Sequence, residues 1–191
     1  MKFKTLHFQA IGLTACVLYA LFLAEQTFAA QECQITLSDS NLDFGRVTQP
    51  GANDPASGNA MHPLGNRVIS LNASCPQPAK LLIQLQGAGQ GEQFRFAQRG
   101  QLGVTLSNAS VDGRSVQLAK VQSLGAPPGN SSASIEAMPG DRVIAVSGGL
   151  PVEGSQLSMQ VELKPQVPVA ELRTRDTKNL EANLSFQINS Y

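Results

Sequence analysis

The 191-residue sequence contains no tryptophan and two tyrosines, and its 14 basic side chains are balanced by 14 acidic ones. Without a basic excess there is no electrostatic stripe to track a phosphate backbone, so a nucleic-acid partner is not expected. Scarce aromatic surface argues against a sugar site built on stacked rings. His62, in Met61-His62-Pro63, is the only histidine outside the first thirty residues, and nothing around it has the spacing of a nucleophile, base and orienting acid. The carboxylates are dispersed among polar segments and read as solvated charges rather than a catalytic pair. Stretches of 3.6-residue periodicity are missing as well, which excludes a helical bundle. The expectation is a protein with no catalytic residue, no metal and no cofactor.

One long apolar run is present, and it stands at the start. Lys2 and Lys4 precede an apolar stretch from Ala10 to Ala24, followed by Glu25-Gln26-Thr27-Phe28-Ala29-Ala30. This is the three-part layout of a secretory signal peptide. Thr27 and Ala29 supply the small residues a cleavage site wants, which assigns residues 1–29 to the signal; cleavage after Ala30 would put Phe28 at one of those places. A retained anchor fits less well, because about fifteen apolar residues barely cross a hydrocarbon core of ~30 Å. Leu13-Thr14-Ala15-Cys16 has the form of a lipoprotein box, but the apolar run continues past Cys16. Signal removal leaves residues 30–191 as a single exported domain with no integral membrane segment. It also takes away Cys16, so Cys33 and Cys75 remain as an even pair in an oxidising compartment and are expected to form a disulfide. Closing a loop of that size stabilises a fold by about 3–4 kcal/mol in the chain-entropy picture.

The rest of the chain alternates with a period of two. Apolar Ile35 and Leu37, Leu81, Ile83 and Leu85, Leu102, Val104 and Leu106, and Leu157, Met159, Val161 and Leu163 are separated mostly by polar residues. At the end Leu180, Ala182, Leu184, Phe186 and Ile188 point one way and Glu181, Asn183, Ser185, Gln187 and Asn189 the other. Further strands are expected at 67–73, 93–97, 115–121 and 142–147, and Pro50–Gly65 reads as a long loop. Gly-, Pro- and Asn-rich turns separate these runs, as in Pro127-Pro128-Gly129-Asn130 and Gly148-Gly149-Leu150-Pro151. Short half-apolar strands joined by turns argue for one all-β domain, an antiparallel sandwich or barrel, and one apolar face per strand is what two packed sheets require. Asn72, Asn108, Asn130 and Asn183 stand in glycosylation sequons, which matter only in a eukaryotic secretory pathway.

The order of several motifs resembles the subunits of bacterial chaperone–usher pili. Cys33 opens Cys-Gln-Ile-Thr-Leu-Ser, Leu42-Asp43-Phe44-Gly45 follows, and Cys75 closes Ile69-Ser70-Leu71-Asn72-Ala73-Ser74-Cys75. Gly103-Val104-Thr105-Leu106 precedes Asp112-Gly113, and the last strand reads Leu184-Ser185-Phe186-Gln187-Ile188-Asn189-Ser190-Tyr191. The resemblance spans most of residues 33–191. It implies an incomplete immunoglobulin-like sandwich (the pilin fold) lacking its last strand, with a groove flanked by the first and terminal strands. Ile35, Leu37, Leu184, Phe186 and Ile188 would line that groove, and the Tyr191 carboxylate would anchor to the chaperone. The implied partners are a periplasmic chaperone that lends a strand, an outer-membrane usher, and a neighbouring pilin subunit whose extension replaces the lent strand. Export through the periplasm to a fimbrium at the cell surface follows.

Shaft pilins carry a donor segment ahead of the first cysteine. With cleavage after Ala29 only Ala30-Gln31-Glu32 precede Cys33, so the expectation is a minor or tip-located structural subunit that accepts a strand and gives none. The competing reading is a free-standing secreted β-sandwich that closes its own sheet and binds a ligand or glycan in the manner of an adhesin.

Overall fold

In the computed structural model, residues 32–47, 60–173 and 179–191 are described, all within one compact unit, Glu32–Tyr191. The signal segment 1–29 and most of the expected 50–65 loop lie outside the described residues. Among the described residues fourteen strands form: β1 (Gln34–Leu37), β2 (Met61–Pro63), β3 (Arg67–Gly87), β4 (Gly89–Gln90), β5 (Gln93–Phe96), β6 (Gly100–Val111) and β7 (Arg114–Ser115); then β8 (Gln117–Val121), β9 (Ser131–Ser132), β10 (Ser134–Ala137), β11 (Arg142–Ser147), β12 (Leu150–Pro151), β13 (Glu153–Pro168) and β14 (Leu184–Ser190). A one-turn helix, α1 (Val169–Leu172), follows β13. All these strand pairings are antiparallel.

The strands make two layers that share β3. Its first half pairs with β1 on one side and β13 on the other, and β13 pairs in turn with β6. Its second half pairs with β14 on one side and β11 on the other, and β11 pairs with β8, then β8 with β9. The expectation of separate strands at 67–73 and 81–85 is therefore corrected to one 21-residue strand. Its ladder with β13 breaks between Ser74 and Ala79. Pro76 and Pro78 lie in that gap, and proline has no N–H to give to a ladder. The chain passes from one layer to the other there without a turn.

Alternation sends one apolar row of the strands to a shared core, and in the second layer β3, β8 and β11 bury side chains on both faces. Leu71 and Ala73 of β3, Leu157 and Val161 of β13, and Val104 and Leu106 of β6 share one core, which also takes Leu81, Ile83 and Leu85 from the second half of β3. Phe94 is the largest side chain fully enclosed. Leu82, Ala119, Val121, Ile144 and Val146 alternate to the opposite face of the second layer and form a smaller cluster. The expected disulfide Cys33–Cys75 is present and ties the start of β1 to β3.

Three boundaries differ from the sequence reading. Met61–Pro63 is a strand inside the expected loop, because Pro63 and Met61 pair with Gln166 and Pro168 at the end of β13. The expected strand 115–121 is divided at Val116, whose N–H donates to Ala109 O at 3.0 Å; β7 belongs to the β6 layer and β8 to the β11 layer. The terminal strand starts at Leu184 rather than Leu180. Its alternation nevertheless runs unbroken from Leu180 to Asn189, apolar residues half-buried and polar ones exposed.

Candidate functional site

The two long edges of the sandwich are built differently. At one, the chain itself crosses between layers twice: from β7 to β8 through Val116, and from β9, beside β8, to β10, beside β6, through Ala133. At the other edge stand β1 and β14, which touch each other. Each has a ladder with β3 on one side only, and among the described residues no strand pairs with the other side of either. An unpaired edge of this kind presents a row of N–H and C=O groups to any further strand.

All five sequence-expected groove residues are brought to this edge. Ile35 and Leu37 of β1 and Leu184, Phe186 and Ile188 of β14 point to the core but are only partly covered. The contrast with β13 decides what this means. Its inward-facing Leu157, Met159 and Val161 are 1%, 2% and 0% exposed, because β3 and β6 flank it on both sides. The apolar row of β14 has the same alternation but lacks a second neighbour, so its side chains stay partly exposed. Completing the burial of a leucine, isoleucine or phenylalanine is worth up to about 1.5–3 kcal/mol per side chain relative to full exposure. An extended segment that covered these side chains would complete their burial.

Leu42, Phe44, Leu180 and Ala182 join the same partly covered set. In the sequence, Leu42 and Phe44 belong to the Leu42-Asp43-Phe44-Gly45 motif and are not among the expected groove residues. Phe44 sits edge-on to Phe96, ring centroids 6.5 Å apart, under the Arg67 guanidinium at 5.6 Å. Two aspartates shape the segment: Asp39 Oδ1 accepts from Asn41 N at 3.0 Å and Asp43 Oδ1 from Gly45 N at 2.7 Å. These are local Asx turns, which the Asp-x-Asn and Asp-x-Gly spacings foreshadow.

Tyr191, expected as the chaperone anchor, is held beside Lys80. Lys80 N donates to Tyr191 O at 3.1 Å and Tyr191 N to Lys80 O at 3.4 Å. The Lys80 ammonium lies 5.5 Å from the tyrosine ring centroid and 3.8 Å from Glu153 Oε1. Beside these apolar residues stand two cations, Lys80 at Tyr191 and Arg67 at Phe44.

No group of three His, Cys, Asp or Glu side chains that could hold a metal occurs among the described residues. His62 lies in β2, opposite Val167 of β13. No described helix is long and apolar enough to cross a membrane. No known protein family's sequence pattern matches this chain, and no curated protein matches it significantly.

Proposed function

We propose that this protein is a structural subunit of a bacterial fimbria, an immunoglobulin-like sandwich one strand short that is completed by a strand from another polypeptide. A periplasmic chaperone would fill the β1–β14 seam first. At the outer-membrane usher a neighbouring subunit would replace it, and the fibre would carry the protein to the cell surface. Strand addition to an exposed sheet edge takes affinity from main-chain hydrogen bonds and specificity from pockets for alternate side chains, and chaperone–pilin complementation is itself a known instance of it. The observation that carries the reading is the half-buried row Leu184, Phe186 and Ile188 on an edge strand facing half-buried Ile35 and Leu37. A free-standing ligand-binding sandwich would seal that seam with its own backbone.

The test is expression of the exported chain alone and together with an added donor segment of about ten residues, a typical strand length, alternating valine and threonine. The chain alone is expected to aggregate or to unfold at low denaturant. With the segment it is expected to run as a soluble one-to-one complex of raised melting temperature. A monomer that unfolds cooperatively and gains nothing from the segment would overturn the reading.

A further inference from the structure

Glu171 is 4% exposed, and a carboxylate so far from water persists only with hydrogen-bond partners. Its Oε1 accepts from Gln98 N at 3.2 Å and its Oε2 from Arg99 N at 3.3 Å, bonds of the stronger, charge-assisted kind. Both amides belong to the connection between β5 and β6. That connection is tight. Ala97 has a φ of 54°, a left-handed conformation that costs any residue with a Cβ. A Cβ on Gly100 would lie 2.6 Å from both Gln166 O and Phe96 O, so the turn is packed hard against the end of β13.

The next bond carries the constraint across to the seam. Ala97 N donates to Glu181 O at 2.8 Å, three residues before β14 begins. Asn183 O and the Phe94 ring then close around Gly87, where a Cβ would meet them at 3.0 and 2.8 Å, and Gly87 is the ladder partner of Leu184. A chain of contacts therefore runs from the helix after β13, through the β5–β6 turn, to the segment that delivers β14. Residues 180–183 have no ladder of their own, and β14 is paired on one side only.

We propose that Glu171 is a positioning residue for strand acceptance: by clamping the Gln98 and Arg99 amides it aims the Ala97 N–H at the Glu181 carbonyl and holds the first residues of β14 at the distance from β1 that an incoming strand needs. The proposal rests on the seam being the site of strand addition. Glu171 itself touches no donor strand.

The experiment pairs amide hydrogen exchange on the full chain with binding of a fluorescent donor peptide of about ten alternating valine and threonine residues. It compares the natural protein with Glu171→Ala and Glu171→Gln. Losing the clamp in Glu171→Ala is expected to speed exchange of the Ala97, Gln98 and Arg99 amides and of the first residues of β14 by about ten-fold or more, the factor that a charged hydrogen bond represents. Exchange in β8 and β11 stays unchanged, and peptide dissociation quickens by a similar factor. Glu171→Gln keeps one carbonyl acceptor and falls between. Uniformly faster exchange across both layers, in either variant, would reduce Glu171 to a general stabiliser and overturn the proposal. So would natural exchange in β14, or natural peptide dissociation. If Glu171→Ala does not fold, the Glu171→Gln comparison decides by the same criteria. Failure of the natural protein to bind the peptide removes the seam reading instead, while the exchange pattern still passes judgement on the clamp.

Discussion

Single side chains do two kinds of work here, local and long-range, and only the local kind is written in neighbouring letters. Asp112 and Gly113 have φ of 48° and 77° and join β6 to β7 with Val111 opposite Arg114, the two-residue turn that an Asp-Gly pair favours. Asp112 also reaches across to the bulge in β13, where its Oδ1 accepts from Ser155 N at 3.1 Å and Gln156 N at 2.9 Å. Nothing in the spacing of those residues announces that contact, because it depends on how β6 and β13 are brought side by side. Gly154 is the third member of the contact. A Cβ there would overlap Val111 Cγ1 and lie 2.7 Å from Asp112 Oδ2. Gly154→Ala is therefore expected to destabilise the donor-complemented protein by about 1–3 kcal/mol, the usual range for overpacking, read from the shift of its urea midpoint. An unchanged midpoint would mean the bulge relaxes freely.

For the proposed strand addition β1 and β14 matter most, and each is paired on one side only. β1 is four residues long, and its attachments include the ladder to β3, the Ser38 N to Ser70 O bond at 2.9 Å and the Cys33–Cys75 disulfide. Replacing both cysteines with serine is expected to lower stability by about 3–4 kcal/mol. The loss of amide protection should be concentrated in β1 and along the seam rather than in β11. Equal loss in β11 would place the value of the bond in the fold as a whole. The elements also show where periodicity reads well and where it stops. The alternation of 180–189 reports correctly which side chains face the core, yet the strand begins only at Leu184. Strand identity needs a partner as well as a pattern, and Gly87 is the last residue of β3, so it leaves nothing for Ala182 to pair with.

Among the described residues of the Glu32–Tyr191 unit, one long edge is stitched by two crossings of its own chain and the opposite edge is not. On the proposed reading, that asymmetry would make the isolated chain an aggregation hazard, and its position in a fibre would depend on how the exported chain is processed. If the chain is exported as proposed, amino-terminal sequencing of the mature protein is expected to begin at Ala30. A start near Leu21 would leave a segment long enough to serve as a donor strand, and the assignment to a minor or tip position would fall.

Alternation, turn chemistry and cysteine parity follow from residues close in the chain or from simple counting, so the all-β class, the disulfide and the inward faces of Ile35, Leu37, Leu184, Phe186 and Ile188 could be read from the letters. Which edges meet could not. The pairing of β3 with β1 in one half and with β14 in the other, and the return of Asp112 and Glu171 to distant amides, arise from contacts between segments far apart along the chain. Packing geometry alone selects those contacts, because periodicity specifies which face of a strand is buried but not which strand will cover it.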